Sequence, residues 1–318
     1  MSMIDEIREE LLSRKGMNPK PDDFDSFWES SLKETEKLQT NVKLEAAQFK
    51  SPAAECYDLY FTGTYSSRIH TKLLLPKDRK KKCPALLHFH GLSGASEDWS
   101  FYLNYAASGV AVAAMDCRGQ NGFSDDGCRV SLNTYSGFLC RGITDEPERM
   151  YYRNVYLDTV LLARIVMAMP DVDENNVSVC GISQGGGLSL ICAALVPEIK
   201  KAAVAFPFLC DFKQTHALGL GGVAHQDIGV YFKYYDPLHE KEDELFTKLG
   251  YIDVQHFAER IRAEVKWFVG MKDTACPPYS QMAAYNKIKS RKELFIYPEY
   301  GHETMTGHRD IMYSFLLY

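Results

Sequence analysis

The sequence predicts an α/β fold in which helices cover both faces of a mostly parallel sheet. From Pro84 onward, short apolar runs alternate with segments of helical periodicity, which is the pattern of successive βαβ units. Such apolar runs are typical of strands that are buried on both faces. The chain has 318 residues, of which 46% are hydrophobic, and this is enough to bury one large core. We therefore expect a single domain over residues 1–318.

The first 75 residues predict two helices and an antiparallel extension of the sheet. One helix is expected over 4–12, and a second begins at Asp22 or Asp23, so residues 1–40 form an N-terminal helical extension. Three β-rich runs over 40–75 predict antiparallel strands at one edge of the sheet. The apolar face of the second helix carries Phe24, Phe27, Trp28 and Leu32.

Two longer segments interrupt the parallel part of the sheet. Residues 117–151 are rich in glycine, polar residues and arginine. Residues 208–260 contain short helical stretches, and we expect them to overhang the functional site as a cap. The apolar runs that predict strands lie at 85–90, 109–115, 177–181, 201–206, 264–270 and 293–297.

The apolar run from Val177 ends at a serine that is flanked by glycines. Gly181–Gly185 reads GISQG and fits the G-x-S-x-G nucleophile elbow, in which a strand turns sharply into a helix. Glycines on either side of the serine remove side chains that would clash in this turn. The Ser183 hydroxyl would then project above the sheet at a helix N-terminus, where N–H groups favour negative charge. The pattern alone is common by chance, but the strand before it and the helix after it predict Ser183 as the nucleophile.

An elbow of this kind requires an acid and then a histidine, each after a later strand. Asp273 follows the apolar strand from Val265, and His302 follows the strand from Leu294 after a glycine turn. Both should therefore lie with Ser183 at the carboxyl edge of the sheet. A serine hydroxyl needs an imidazole to accept its proton, and a carboxylate to hold the tautomer of that ring. We predict Ser183, Asp273 and His302 as the catalytic residues.

Each residue also has a structural interpretation. Asp273 could be an ordinary loop aspartate, and His302 could be a surface histidine that caps the last helix. His308 is a weaker competitor because we expect it inside the final helix. Asp116 also ends a strand, but it precedes the serine and so breaks the chain order. Three residues in the required order are harder to explain by chance than any one of them.

The oxyanion hole should consist of two backbone amides. One belongs to Gln184, the residue after the candidate nucleophile. The second is expected in the loop after an earlier strand, where Gly91 lets the backbone approach the substrate and Leu92 donates its N–H. His88 and His90 alternate along that strand, but two histidines without a nearby carboxylate are a weak ligand set. We therefore predict no metal site there, and we expect His90 to order the loop.

Composition argues against several classes of function. The net charge of −6 and the isoelectric point of about 5.9 argue against a nucleic-acid partner and favour a small neutral or polar substrate. No apolar stretch approaches the ~20 residues of a membrane span, and the N-terminus lacks a signal-peptide core. Nine cysteines without a CxxC pair suit the reduced core of a cytoplasmic protein. No cofactor is predicted, and the basic run at 77–82 should be a solvated loop.

Three ordered motifs make the chain resemble the acetyl xylan esterase and cephalosporin C deacetylase family of α/β-hydrolases, the seventh carbohydrate esterase family. An RGQ motif stands at Arg118–Gln120, a GxSQG motif at Gly181–Gly185, and an HE pair at His302–Glu303. The resemblance covers nearly the whole chain. Further similarity lies at 23–28, 135–143 and 207–210.

The resemblance implies the same catalytic residues and the same oxyanion amides. Members of the family remove acetyl groups from short acetylated xylo-oligosaccharides and from cephalosporin C. They are typically intracellular and often form hexamers whose active sites face an internal cavity. We therefore expect a cytoplasmic, homo-oligomeric serine carboxylesterase that acts on such substrates through an acetyl-enzyme, without a nucleic-acid or membrane partner.

The chain departs from the family pattern in the oxyanion loop. Many members have a tyrosine where this chain has Leu92. The backbone N–H is retained, but a hydroxyl is lost, which leaves the acyl and sugar preference open. We interpret Arg118 and Gln120 as structural, with Arg118 buried in the loop after its strand. Glu303 is interpreted as a cap of the last helix, because carboxylates suit a first helical turn.

Other functions remain open at this point. A serine peptidase of the prolyl oligopeptidase type would use the same three residues on amides, although such enzymes usually carry a propeller domain for which this chain has no room. A general short-chain esterase would also fit. A non-catalytic binding protein on the same fold would be expected to have lost a catalytic residue, and this sequence retains all three candidates.

Overall fold

A nine-stranded sheet is the centre of the protein, in the strand order β1-β2-β3-β5-β4-β6-β7-β8-β9. The computed structural model describes residues 3–79, 81–132 and 137–318. The strands are β1 (Lys43–Ala46), β2 (Ala54–Thr62), β3 (Arg68–Pro76), β4 (Cys83–Phe89), β5 (Ala111–Met115), β6 (Val172–Ile182), β7 (Lys201–Ala205), β8 (Glu264–Gly270) and β9 (Lys292–Tyr297).

Both predicted parts of the sheet are present. β1, β2 and β3 pair antiparallel, and β3 pairs antiparallel with β5. From β5 to β9 every pair is parallel, so the carboxyl ends of these strands lie at one edge. β6 begins earlier than predicted, at Val172, because the polar residues 173–176 also adopt an extended backbone. Its pairing with β4 changes register between Cys83 and Ala85 of β4.

Helices cover both faces of this sheet, as predicted. Ala85, Leu87 and Phe89 on β4 pack in the cluster that contains the buried side of α4 and α5, whereas Leu86 packs with Met312 of α10. The alternation follows from the period of two along a strand. The helices are α1 (Met3–Leu12), α2 (Phe24–Lys37), α3 (Leu103–Ala107), α4 (Tyr151–Met167), α5 (Gln184–Leu195), α6 (Phe212–Ala217), α7 (Gly222–Tyr235), α8 (Glu242–Leu249), α9 (Pro278–Tyr285) and α10 (His308–Leu317).

The two N-terminal helices follow the sequence prediction, and residues 208–260 contain the expected short helices. On α2, Phe24 and Trp28 are fully buried, and Trp28 meets the ring of Phe257 edge to face at 5.0 Å. Segment 208–260 consists of α6, α7, α8 and short 3₁₀ turns. The Gly221 N–H donates to the Thr274 carbonyl at 2.8 Å, which ties the start of α7 to the loop that contains Asp273.

Two sequence segments lie partly outside the described residues. The similarity segment 135–143 begins with two such residues, and the basic run at 77–82, which joins β3 to β4, contains one at position 80. Across the helices of the described ranges, none combines the length and apolarity needed to cross a bilayer. All nine cysteines are buried free thiols.

Candidate active site

The predicted strand–turn–helix forms around Ser183. β6 ends at Ile182 and α5 begins at Gln184, so Ser183 alone occupies the turn, with φ 54° and ψ −121°. A positive φ is unfavourable for a residue with a side chain, and such strain is common at functional sites. A Cβ on Gly185 would lie 1.9 Å from the Phe89 carbonyl oxygen, so only glycine fits there. The turn therefore presses directly against the end of β4.

The structure brings the three predicted side chains together in one hydrogen-bonded series. His302 Nε2 lies 3.0 Å from Ser183 Oγ, and His302 Nδ1 lies 2.9 Å from Asp273 Oδ2. With the proton on Nδ1 donated to the carboxylate, Nε2 presents a lone pair to the serine hydroxyl. Asp273 is buried, whereas the His302 side chain is 30% exposed, so the series is open to solvent at the imidazole.

The loops after β8 and β9 hold the acid and the histidine. Asp273 lies three residues beyond β8, and its Oδ1 accepts the N–H groups of Ala275 (2.9 Å) and Cys276 (2.8 Å). These two bonds leave Oδ2 for the imidazole. The ring of Phe206 meets the His302 ring edge to face at 4.6 Å. The orientation of the imidazole is therefore fixed by a carboxylate on one side and an aromatic ring on another.

The two predicted oxyanion donors are the backbone N–H groups of Leu92 and Gln184. Neither Leu92 nor Gln184 donates its N–H to another described residue. Gln184 is the first residue of α5, where N–H groups have no partner within the helix. A Cβ on Gly91 would meet no described atom within 4 Å, so the space beside this loop is open. Free N–H groups of this kind are suited to bind a negatively charged oxygen, so Leu92 and Gln184 remain the predicted donors.

The AXE1 acetyl xylan esterase family model matches residues 1–318. The chain belongs to the acetyl xylan esterase family. The structure of acetyl xylan esterase 1 from Thermoanaerobacterium sp. JW/SL YS485 superimposes with a TM-score of 0.95 at 47% identity, covering 100% of this chain and 98% of that one. An acetyl xylan esterase from Paenibacillus sp. R4 gives a TM-score of 0.93 at 31% identity and covers 99% of both chains.

A curated relative is longer. The acetyl esterase Axe7A of Xylanibacter ruminicola is 29% identical over 302 residues, which are 93% of this chain and 66% of Axe7A. The chain therefore spans about two thirds of the length of Axe7A.

Gln184 is the glutamine of the GxSQG motif in this acetyl xylan esterase family member. Hydrogen bonds fix its side chain, and α5 fixes its backbone. Gln184 Oε1 accepts the Tyr152 hydroxyl at 2.9 Å and Gln120 Nε2 at 2.8 Å. Gln184 Nε2 donates to Gln120 Oε1 at 3.2 Å. The same Gln120 oxygen accepts the N–H of Ser93 at 2.8 Å, directly after Leu92. Gln120 thus contacts both loops that provide the candidate oxyanion amides.

Gln120 is interpreted from the sequence as structural, and that interpretation lacks this connection to the site. The position of the RGQ motif was the available signal, since it follows β5, which neighbours the strand before the oxyanion loop. Arg118 does have the predicted structural contacts: the buried guanidinium makes a bidentate pair with Asp158 at 2.6 and 2.7 Å.

His90 orders its loop as expected. Nδ1 lies 2.7 Å from the Gly91 carbonyl, and Nε2 accepts the Cys117 N–H at 2.9 Å. These partners require one proton on Nδ1 and none on Nε2, which is the neutral ring. Burial lowers the pKa of His90, although its bond to the Gly91 carbonyl opposes this effect. A neutral imidazole therefore connects the oxyanion loop to the loop after β5.

Two predictions at the C-terminus are wrong. His308 is the first residue of α10 rather than an interior residue, because Gly307 adopts φ 77° and begins the helix there. Glu303 does not cap α10, which starts five residues later; its carboxylate instead accepts the Gly301 N–H at 3.2 Å. For the same reason, His302 does not cap that helix. Asp116, the other aspartate considered, binds a different histidine, His70, at 2.7 Å.

Cys276 is a further residue of the site that is not among those predicted from the sequence. The residue lies three positions after Asp273 and is 4% exposed, with its thiol beside the Ser183 hydroxyl. Burial raises the pKa of this thiol well above its usual value, and Asp273 adds to the effect. The thiol is therefore neutral at pH 7. The D-x-x-C spacing was the only sequence signal.

Proposed function

We propose that the protein is a serine esterase that removes acetyl groups from acetylated xylo-oligosaccharides through an acetyl-enzyme. The hydrogen-bonded series Ser183–His302–Asp273 is the main support, because each distance is within the range needed for proton transfer. Membership of the acetyl xylan esterase family supports the choice of acetyl esters over other acyl compounds.

Acylation would begin when Ser183 Oγ attacks the acetyl carbonyl carbon and His302 Nε2 accepts the hydroxyl proton. The carbonyl oxygen becomes an oxyanion, which the N–H groups of Leu92 and Gln184 bind. Asp273 stabilises the imidazolium through Nδ1. When the tetrahedral intermediate collapses, the C–O bond to the sugar breaks and His302 gives its proton to the leaving oxygen.

Deacylation would repeat these steps with water. His302 Nε2 accepts a proton from a water molecule, whose oxygen attacks the acetyl carbonyl, and the same two amides bind the second oxyanion. The bond to Ser183 Oγ then breaks, acetate leaves, and the serine regains its proton from His302. Because His302 is partly exposed, water can reach it without a rearrangement of the loops.

The nucleophile can be tested with a matched pair of serine variants. Ser183→Ala should abolish hydrolysis of 4-nitrophenyl acetate and labelling by a fluorophosphonate while keeping the folded circular dichroism spectrum. Ser189→Ala removes a buried hydroxyl from the same helix, where it donates to the Gly185 carbonyl, and should retain labelling. Wild-type turnover by Ser183→Ala would refute the assignment.

Substrate class needs a separate comparison. We propose acetylated xylo-oligosaccharides as substrates and cephalosporin C as a further one, which the sequence resemblance supports. Acetate release should be measured from both compounds, from longer acyl esters and from acetylated peptides. Faster release from peptides or from long-chain esters than from acetylated sugars would contradict this proposal and favour the peptidase or general esterase alternative.

We further propose a homohexamer, a cytoplasmic location and a cap function for residues 208–260. The nine buried thiols favour a reducing compartment, and the bond from Gly221 to Thr274 favours a cap that is coupled to the acid loop. Light scattering would measure the subunit number, and cell fractionation would measure the location. A monomer or an extracellular protein would contradict the corresponding proposal.

A further inference from the structure

Cys276 lies within the site but has no part in the proposed reaction. Its backbone N–H donates to Asp273 Oδ1 at 2.8 Å, and its sulfur lies within 4.8 Å of a carboxylate oxygen of Asp273. Its thiol lies beside the Ser183 hydroxyl. A buried thiol, an imidazole and a carboxylate together form a set of donors that suits a metal cation rather than an ester.

The donors of Asp273, Cys276 and His302 converge. One carboxylate oxygen, the sulfur and one imidazole nitrogen all lie within 4.8 Å of one another. Among the residues that the structure describes, no other three His, Cys, Asp or Glu side chains meet this distance. We propose that these three side chains bind a thiophilic divalent cation, such as Zn²⁺ or Cd²⁺, and that this binding reversibly inhibits the enzyme.

The geometry requires only small movements. Zinc binds sulfur at ~2.3 Å and imidazole nitrogen or carboxylate oxygen at ~2.0–2.2 Å, so tetrahedral ligand atoms are roughly 3.5 Å apart. The present spread of up to 4.8 Å would therefore have to contract by about an ångström. The exposed side of His302 offers an entry path and an open position for water. Mg²⁺ and Ca²⁺ should not bind, since they prefer sets of oxygen ligands.

Binding at either imidazole nitrogen would stop catalysis. A cation on Nδ1 replaces the proton that bonds to Asp273, and that proton leaves to solvent. A cation on Nε2 occupies the lone pair that must accept the Ser183 proton. In both cases the thiol loses its proton to the solvent and binds as a thiolate, without any redox change. The inhibition rests on the proposed serine esterase mechanism, but the ester that is cleaved does not affect it.

Inhibition by the cation should depend on Cys276 and not on the other buried cysteines. In thiol-free buffer, Zn²⁺ and Cd²⁺ should inhibit the wild type, a chelator should restore activity, and Mg²⁺ should have no effect. Relative to its own uninhibited rate, Cys276→Ser should need about tenfold more cation or higher for half-inhibition. Cys83→Ser alters a buried cysteine at the start of β4, away from the carboxyl edge, and should respond like the wild type.

A direct measurement is independent of activity. Ser183→Ala retains all three donors, so Cd²⁺ should produce an ultraviolet thiolate-to-cadmium absorption band in this variant. Adding Cys276→Ala should remove the band, and adding His302→Gln should weaken binding. Absence of the band in Ser183→Ala, or equal inhibition of the wild type and Cys276→Ser, would overturn the proposal. A Ser183→Ala variant that shows the band, together with a wild type that lacks esterase activity, would refute the esterase proposal and the inhibition while confirming the cation site.

Discussion

The side-chain amides of Gln120 and Gln184 form a reciprocal pair. Gln120 Nε2 donates to Gln184 Oε1 at 2.8 Å, and Gln184 Nε2 donates to Gln120 Oε1 at 3.2 Å. Gln120 Oε1 also accepts the N–H of Ser93, which follows Leu92. One side chain therefore contacts both loops whose amides we propose to bind the oxyanion. The separation of those two amides should depend on Gln120.

Gln120→Met should lower kcat for 4-nitrophenyl acetate by about tenfold to a hundredfold, because a misplaced oxyanion donor loses its bond to the transition state. KM should change much less, since the substrate's ground-state contacts stay in place. The affinity for a trifluoromethyl ketone, whose oxyanion needs the same amides, should fall in parallel with kcat.

Asn121→Ala is the matched control for this variant. Asn121 is adjacent to Gln120 and its side chain donates to the Ser93 carbonyl at 2.7 Å, so it contacts the same loop without contacting Gln184. Its kcat should stay near that of the wild type. Equal losses of kcat in both variants would show that Gln120 merely stabilises the loop.

Residues of the candidate site were predictable where a local pattern determines their position. The GxSxG turn requires its glycines sterically, and the required chain order then restricts the search to residues that follow later strands. Ser183, Asp273 and His302 could be named for this reason, and the structure places them in one hydrogen-bonded series. The parallel strands were predictable for a similar reason, since buried strands are apolar along their whole length.

Contacts between side chains that no required chain order relates were not predictable. Gln120 and Gln184 are separated by 64 positions, and no periodicity relates their amides. Cys276 resembles the other buried cysteines in the sequence and differs only in its neighbours. The start of α10 was misplaced because the positive φ at Gly307, rather than the acidic Glu303, determines where that helix begins. Such features depend on tertiary packing.

Asp273→Asn should reduce kcat by about 10⁴-fold with little loss of stability. Oδ1 must remain an oxygen because it accepts the N–H groups of Ala275 and Cys276, so the new amide nitrogen faces His302 Nδ1. Nδ1 must then accept a hydrogen bond, which moves the ring proton to Nε2. The ring can no longer accept the Ser183 proton.

The adjacent carboxylate provides the control for Asp273→Asn. Glu303→Gln alters the residue directly after His302, whose carboxylate is exposed and bonds only to the Gly301 N–H among the described residues. Its kcat for 4-nitrophenyl acetate should remain close to the wild-type value. A large loss of kcat in Glu303→Gln, with kcat retained in Asp273→Asn, would show that Glu303 rather than Asp273 is the catalytic acid.

Gly185→Ala should destabilise the fold by about 3 kcal/mol, because the new Cβ would lie 1.9 Å from the Phe89 carbonyl oxygen. Either the backbone at residue 185 or the backbone at Phe89 would have to move. Gly229→Ala in α7 is the comparison, since a Cβ there meets no described atom within 4 Å. It should stabilise the protein by about 0.5–1 kcal/mol through higher helix propensity. Urea unfolding measures both changes, and equal stability of the two variants would contradict the tight turn.

Asp253 and Asp211 should make stability depend on pH. Burial raises the pKa of each carboxyl group to about 6, and the charge of Asp253 contributes to the rise at Asp211. In the unfolded chain the pKa of both groups is ~3.9. Between about pH 4 and 6 the folded state therefore binds more protons than the unfolded state, so the free energy of unfolding falls as the pH rises through this window.

Asp253→Asn should flatten that dependence. The variant keeps an Oδ1 acceptor for the N–H groups of Asp211 and Gln255, but it removes one titrating group and the charge that opposes ionisation of Asp211. Urea unfolding at pH 4, 5, 6 and 7 should show the wild type losing stability relative to the variant as the pH rises to about 6. If the free energies of unfolding of the wild type and Asp253→Asn changed in parallel with pH, burial of Asp211 and Asp253 would not favour their protonated forms. Asp243→Asn, at a side chain that is 97% exposed, is the control and should follow the wild-type curve.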